Sequence, residues 1–363
     1  MALDDAYRAL ARRLDETPNG FPATASGAEL RLLAWLFTPE EAALAAQMRL
    51  TPEPAGELAA RTGGELREVR TLLKSMARKG LIHVVRQQHS LGFALLPFAI
   101  GLYEMQGERM DEELASLVEA YIQEAFPGVL AVQPPLTRVI PVEEAVPAGI
   151  EIMPYESASQ ILDQAAAWGV TDCLCRRQQR LLGKGCDAPL DVCLALSTVP
   201  GAFDNTPGVR ALTREEAGET LRRAEEAGLV HATSNTHGGL PYLWFICNCC
   251  SCCCGILRGV AEFGIEHSVA HSAFWATVDE AACTGCEACL ERCRFSALSV
   301  VDGLAQVDRE RCAGCGLCAA VCPADALSLI RRPELDTPPV PEDNDAWWAE
   351  RARNRGLDLG RIL

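Results

Sequence analysis

The chain has 363 residues, 49% of them hydrophobic, and 49 acidic against 33 basic side chains give a net charge of −16. That length suggests two or three domains, and the acidity argues against a protein whose main task is to coat nucleic acid or anionic lipid. All 18 cysteines fall between Cys173 and Cys322 in closely spaced groups, as thiolates around metal do; a small secreted disulfide scaffold would distribute them.

The start, MALDDAYRAL, has no basic stretch followed by an apolar run, so no secretory leader is expected. The apolar stretch from Leu91 to Tyr103 is too short to span a bilayer, and Tyr242 to Leu257 is broken by Asn248, Ser251 and six cysteines. No membrane span is expected, and a reducing cytoplasm, in an anaerobe, is the natural setting. The acidic surface suits an electron carrier that docks on basic patches.

Residues 1–26 read as a helical lead-in ending at the Pro18–Gly20 turn. From Gly27 a helix with Leu30, Leu32, Leu33, Leu36 and Phe37 on one apolar face runs to a Thr38–Pro39 break and continues to Met48. Pro54 to Thr62 forms a short helix closed by Gly63, and Glu65 to Lys79 another, with Val69, Leu72, Leu73 and Met76 facing a core. Leu81 to Val85 and Phe93 to Leu96 read as strands around a polar turn at Gln87 to Ser90. This order resembles a winged helix-turn-helix over residues 27–105, with Glu57 to Thr62 as positioning helix and Val69 to Ile82 as recognition helix and start of the wing. Between Gly56 and Ser90 the basic residues Arg61, Arg67, Arg70, Lys74, Arg78, Lys79 and Arg86 outnumber Glu57, Glu65 and Glu68. That is the minimum a DNA reader needs, but winged helices also serve as protein-docking modules. Protein docking or a purely architectural role is the first reading and DNA the second.

Residues 106–170 read as a connector: a helix from Met110 to Phe126, then proline-rich text, then a helix capped by Ser157 with Gln160 and running to about Trp168. A cysteine-rich α+β domain follows at 171–273. Thr213 with Glu216 caps a helix stopping at Gly228, and Leu229 to Ala232 is a strand. Ten cysteines lie in this domain: Cys173, Cys175, Cys186 and Cys193 in one set, Cys247, Cys249, Cys250, Cys252, Cys253 and Cys254 in a run of eight residues. Within the run, Cys247, Cys250 and Cys253 have the spacing of a cubane loop, Cys249 with Cys252 makes a second CxxC, and the run is expected to open a helix from Gly255 to Phe263. Six crowded thiols without metal would be an oxidation hazard with no packing gain, so all ten are metal-ligand candidates. Iron–sulfur is preferred to zinc, giving one or two further clusters. One partition puts Cys173, Cys175, Cys186 and Cys193 on one cluster; Arg176 and Arg177 could donate to its sulfides. An open iron there would make this centre catalytic. His267 and His271, spaced to share a helical face, read as solvated or capping histidines before ligands, as do His231 and His237 beside a hairpin.

At 274–332 two runs repeat 29 residues apart, Cys283-x2-Cys286-x2-Cys289-x3-Cys293 and Cys312-x2-Cys315-x2-Cys318-x3-Cys322-Pro323. Three thiolates at this spacing grip three corners of a cubane, and the fourth cysteine crosses to the other half. One [4Fe–4S] cluster therefore takes Cys283, Cys286, Cys289 and Cys322, and the other Cys312, Cys315, Cys318 and Cys293. Gly285 and Gly314 let the loops approach closely. The module resembles the bacterial two-[4Fe–4S] ferredoxin, which implies two low-potential clusters in rapid exchange. Arg294 stands where many members have proline, and a cation there would raise that cluster's potential. With the preceding segments, the chain resembles multi-cluster ferredoxin-domain proteins of anaerobes that carry an N-terminal winged helix, a CxCR-type set and a CNCCxCCC run.

The tail, 333–363, turns helical at Trp347 and Trp348, which are expected to dock it onto the body. The fold class is α+β multidomain. The expected function is electron transfer to or from a partner oxidoreductase, self-association being left open. The alternatives are a redox- or cluster-sensing winged-helix regulator, or a reductive enzyme acting at the central cysteines. No dinucleotide fingerprint, Walker loop or nucleophile elbow occurs in the sequence.

Overall fold

A computed structural model describes residues 3–86, 90–237 and 244–363. It divides into two compact units, residues 1–133 with 348–363, and residues 134–347. The division falls inside the segment 106–170 read as a connector, whose two parts belong to different units.

In the first unit the helices Leu3–Asp15, Ala28–Leu36, Pro39–Ala45, Ala55–Thr62 and Leu66–Arg78 form in the expected order. An antiparallel sheet follows, in the order Glu53–Pro54, Leu91–Leu95, Ile82–Arg86. The turn expected at Gln87 to Ser90 lies largely outside the described residues. Thr38 accepts from the Glu41 amide while the Glu41 carboxylate accepts from the Thr38 amide, and Pro39 supplies the first helical φ. Glu41 is 1% exposed and also accepts from Ser75 Oγ at 2.6 Å and Lys79 Nζ at 2.7 Å, which ties this cap to the helix Leu66–Arg78. Glu41→Ala removes a cap and an ion pair together, an expected loss of about 2–4 kcal/mol. Urea unfolding of the first unit checks it, with Glu41→Gln expected to lose less. Val69, Leu73 and Met76 are buried, whereas Leu72, expected in the core, is only half-buried.

The helix Glu112–Leu130 passes through Pro127, beyond its expected end at Phe126. A buried arginine of the tail helix Asn344–Arg355 caps this end: Arg351 donates to Val129 O in the last turn at 2.6 Å and to Val132 O just beyond it at 2.5 Å.

The second unit is built on a six-stranded antiparallel sheet. Its order is Thr137–Ile140, Val230–Ser234, Trp244–Cys249, Asp191–Ser197, Ala167–Asp172, Arg210–Leu212. The helices Ala158–Asp163 and Arg214–Glu226 pack on it through Ile161, Leu162, Ala217 and Leu221 against Ile140, Val170, Leu194, Leu196 and Ile246. Two expectations fail here. The helix capped by Ser157 ends at Asp163, and Trp168 lies in a strand, Ala167–Asp172, because pairing with Asp191–Ser197 captures that segment. Thr137–Ile140, inside the supposed linker, is an edge strand. Trp347 is buried, and its indole donates to Pro135 O at 2.9 Å, as docking of the tail requires. Trp348 belongs to the first unit and is only half-buried. Among the described residues no helix is long and apolar enough to cross a membrane.

Residues 274–331 add two short hairpin-like pairs, Phe274–Val278 with Leu327–Arg331 and Leu298–Val301 with Leu304–Val307. Each strand of one pair matches a strand of the other 29 residues away, so the sequence repeat is a structural two-fold.

Candidate metal centres

The two-fold extends to the cysteines. Backbone amides point at four thiols in repeated fashion: Ala276 N to Cys312 Sγ at 3.4 Å and Ala305 N to Cys283 Sγ at 3.4 Å, Ala297 N to Cys293 Sγ at 3.2 Å and Ala326 N to Cys322 Sγ at 3.3 Å. Such donors stabilise thiolate over thiol and tune any iron bound there. The first two cysteines of each run sit in a loop that needs a left-handed glycine, and the third, Cys289 or Cys318, lies in the short helix that follows. Gly285 has φ +63° and Gly314 φ +68°, each with its Cα against a carbonyl, that of Gly303 and that of Phe274 respectively.

A cleft with about 350 Å³ of empty space is lined by Cys283, Cys286 and Cys289 together with Cys322, Pro323 and Ala324 of the other run. Cys293 in turn lies close enough to Cys312, Cys315 and Cys318 for its charge to raise the pKa of all three. Burial is the larger cause, and it pushes Cys315 up to about 12. In both halves the structure thus gathers three cysteines of one run with the fourth of the other. Arg294, expected as a cation beside a cluster, donates its Nε–H to Gly228 O at 2.8 Å, and Arg292 donates to Glu226 O at 2.9 Å. Both cations are placed at the C-terminal end of the helix Arg214–Glu226, where its dipole favours them.

The ten central cysteines fall into two unlike groups. Cys173 caps the helix Leu174–Leu181 and Cys175 lies in its first turn; Cys193, Cys247 and Cys249 are on strands, and Cys254 follows the turn after Cys249. The run does not open the helix expected from Gly255. Only Arg258–Ala261 is helical, and strand alternation puts Cys247 and Cys249 on one face with Asn248 on the other. These six thiols influence one another in a closed sequence, Cys173 with Cys175 and Cys193, Cys193 with Cys247, Cys247 with Cys249, Cys249 with Cys254, and Cys254 with Cys175, and no three of them lie mutually within 4.8 Å. Hydrogen bonds from Cys173 and Cys247, aided by Arg176, hold Cys193 well below the usual thiol range. Cys173, Cys247, Cys249 and Cys254 of the same group are pushed well above, first by thiol–thiol hydrogen bonding and then by burial.

The second group is Cys186, Cys250, Cys252 and Cys253, whose sulfurs all lie within 4.8 Å of one another, the one such set among the described residues. Both groupings cut across the sequence expectations. Cys186 separates from Cys173, Cys175 and Cys193, and Cys247 separates from Cys250 and Cys253.

Arg176 lies against both groups. It is 0% exposed, donates to Pro189 O at 2.6 Å and Asn248 O at 2.5 Å, and has its pKa held up by Cys173, Cys250, Cys193 and Cys249 against the penalty of burial. Its Nε–H is buried with no partner, a donor that bound sulfide would satisfy. Asn248 is fixed by His231, whose Nδ1 meets Asn248 Oδ1 at 2.5 Å while Nε2 meets Glu225 Oε1 at 2.9 Å. His231 is therefore a buried support of the cysteine strand, a role its position beside a hairpin did not signal. The rings of His267 and His271 meet tilted, 5.6 Å apart, in a loop and share no helical face. His237 stacks on Tyr155 at 4.2 Å, away from the cysteines in sequence and contact.

A family model described as a 4Fe-4S dicluster domain matches residues 276–329. Searches of curated proteins and of solved structures give no match to the chain. The matched segment is thus a ferredoxin-like iron–sulfur domain, and the cysteines that precede it extend beyond what the match covers.

Proposed function

We propose that the protein is an iron–sulfur electron carrier that exchanges low-potential electrons with a partner oxidoreductase. The observation that carries this reading is the cleft in which Cys322 joins Cys283, Cys286 and Cys289. These four would hold one [4Fe–4S] cluster, and Cys293, Cys312, Cys315 and Cys318 the other. When bound, the clusters would supply reversible one-electron transfer. The chain's own part is to aim amides at the thiolates, to exclude water with Leu317, Leu327 and Leu329, and to keep the sites close.

The six-thiol ring would take a further iron–sulfur centre. A single ion draws all its ligands within about 4 Å of one another, whereas no three of these six thiols lie mutually within 4.8 Å, which suits a group of several metal atoms. Cys249 and Cys254 of the ring share one packed core with Cys289, Cys312 and Cys318, so electrons can pass between them through protein.

The first unit is read as a winged helix serving as the docking module. Its helices and three-stranded sheet support that reading. Arg61 and Lys79 are engaged by Glu53 and Glu41, but Arg67, Arg70, Lys74 and Arg78 are exposed at spacings that make one stripe on the helix Leu66–Arg78. An acidic protein partner fits this stripe. DNA is the second reading, favoured by the same stripe.

The reduced protein is expected to show the paired electron paramagnetic resonance signals of two interacting clusters and an iron content above about eight per chain. Cys322→Ser should remove one cluster and the interaction signal while the other survives. Intact paired signals in that variant would defeat the ligand assignment, and a chain holding no iron would defeat the carrier. Specific DNA retention at physiological salt, lost on oxidation, would replace docking by the regulator reading.

A further inference from the structure

We propose that Cys186, Cys250, Cys252 and Cys253 form a mononuclear zinc site, separate from the electron path and unlike the ring beside it. The measured edges of the thiol tetrahedron are Cys186 to Cys250 at 3.7 Å, Cys252 to Cys253 at 3.7 Å and Cys186 to Cys253 at 3.8 Å. The remaining edges, Cys250 to Cys252 and Cys253 and Cys186 to Cys252, lie within 4.8 Å. Four sulfurs at the Zn–S distance of about 2.3 Å in tetrahedral array stand about 3.8 Å apart. The group is closed: four thiolates and no fifth position. That is the arrangement of a structural ion, and it is too tight for a cubane, whose corner thiolates stand farther apart; no three thiols of the ferredoxin loops lie mutually within 4.8 Å.

The chemistry of the donors selects the ion. Tetrahedral sulfur ligation suits zinc or iron, and divalent zinc binds such ligands more tightly than ferrous iron in the Irving–Williams order. The surroundings are built for a fixed ion. Val192, Ala224 and Leu229, all 0% exposed, pack against Cys250 and Cys253. Arg180 donates to Cys186 O at 2.8 Å and Ala188 O at 2.8 Å, holding the loop that presents Cys186. Gly185 sits against Arg180 so closely that a Cβ would fall 2.8 Å from the Arg180 Cα. Arg176 balances part of the negative charge that four thiolates and one dication leave. The site staples the loop after Leu181 to the turn after Cys249, and so fixes the strand that brings Cys247 and Cys249 to the ring. In this arrangement zinc carries no electron, and its role is to hold the neighbouring centre in shape.

The proposal rests on the geometry of these four residues and not on the ferredoxin assignment, so the two can fail separately. The full chain, produced with zinc and iron both supplied, is expected to hold about one zinc per chain with four sulfur ligands at about 2.3 Å by X-ray absorption. Cys252 is exposed, so Cys252→Ser is the mildest test and Cys186→Ser the second; each should cut zinc at least five-fold and leave the ferredoxin resonance signals unchanged. Those signals also report that a variant has folded. Cys286→Ser should lose iron and keep zinc. Zinc below about 0.2 per chain in the parent, a mononuclear iron–sulfur spectrum in its place, or zinc retained in both Cys252→Ser and Cys186→Ser would overturn the proposal.

Discussion

Replacing Arg176 by methionine is expected to empty the central metal centres while sparing the ferredoxin pair. Methionine matches the length of the side chain but carries no charge and no donor. Arg176 is fully buried, and its guanidinium faces Cys173, Cys193 and Cys249 of the ring and Cys250 of the tetrahedron. Removing one partner from a buried set of charges costs on the order of 3–5 kcal/mol, because the remaining charge has no water to solvate it. The carbonyls of Pro189 and Asn248 would lose their donors as well, at about 1–3 kcal/mol for each buried acceptor left unsatisfied. The carbonyl loss falls on the chain with or without metal, but the charge loss falls on the metal-loaded form, where the thiolates are deprotonated, so metal affinity should drop beyond the general loss of stability. Arg176→Lys keeps the charge but cannot reach two carbonyls from one planar fork, and should hold an intermediate metal content. Metal analysis beside the resonance spectrum reads all three states. Full zinc and full iron in Arg176→Met would show that the arginine does not serve as the counter-charge.

Much of the ferredoxin segment was legible because a repeat in sequence forces a repeat in space. Cysteines spaced 29 residues apart carry with them Gly285 and Gly314, and the four amide-to-sulfur contacts fall in the same period. The central cysteines were legible only as a composition. In a run such as Cys247 to Cys254 several CxxC pairs overlap, and the spacing alone does not say which face each thiol takes. The choice depends on Cys247 and Cys249 lying on a strand paired with Val230–Ser234, a non-local fact. Cys186 was grouped with Cys173 and Cys175 by nearness in sequence. It belongs instead with residues 64 and 67 positions away. Thr137–Ile140 was hidden by its flanking prolines, which are tolerated because this is an edge strand. Ser157 announced the start of a helix, but a capping residue says nothing of where the helix ends. The helical turns of the first unit, marked by Thr38–Pro39, Gly63 and Gly80, came out close to where local chemistry places them.

Gly314→Ala is expected to cost the protein one of its two ferredoxin clusters, about four of eight irons. Two penalties meet at this residue. Its φ of +68° is left-handed, which costs a residue with a Cβ roughly 1–2 kcal/mol. The added Cβ would also lie 2.0 Å from the carbonyl oxygen of Phe274 and 2.3 Å from Ser272 Oγ, and neither can move freely. Phe274 is in a strand paired with Arg331; Ser272 accepts the amide of Phe274 and donates to Gly314 O at 2.8 Å. The loop would have to shift, and it carries Cys312 and Cys315. Gly303 separates the two penalties. It has φ +79° with nothing within 4 Å of an added Cβ, so Gly303→Ala carries the conformational cost alone, about 1 kcal/mol, and should keep both clusters. If Gly314→Ala held as much iron as Gly303→Ala with a midpoint no lower, the close approach of loop and strand would not be what positions Cys312 and Cys315. The expected outcome is the opposite: iron loss confined to the half whose loop was moved, because the ligands of the other cluster that come from the first run sit on a separate loop held by Gly285.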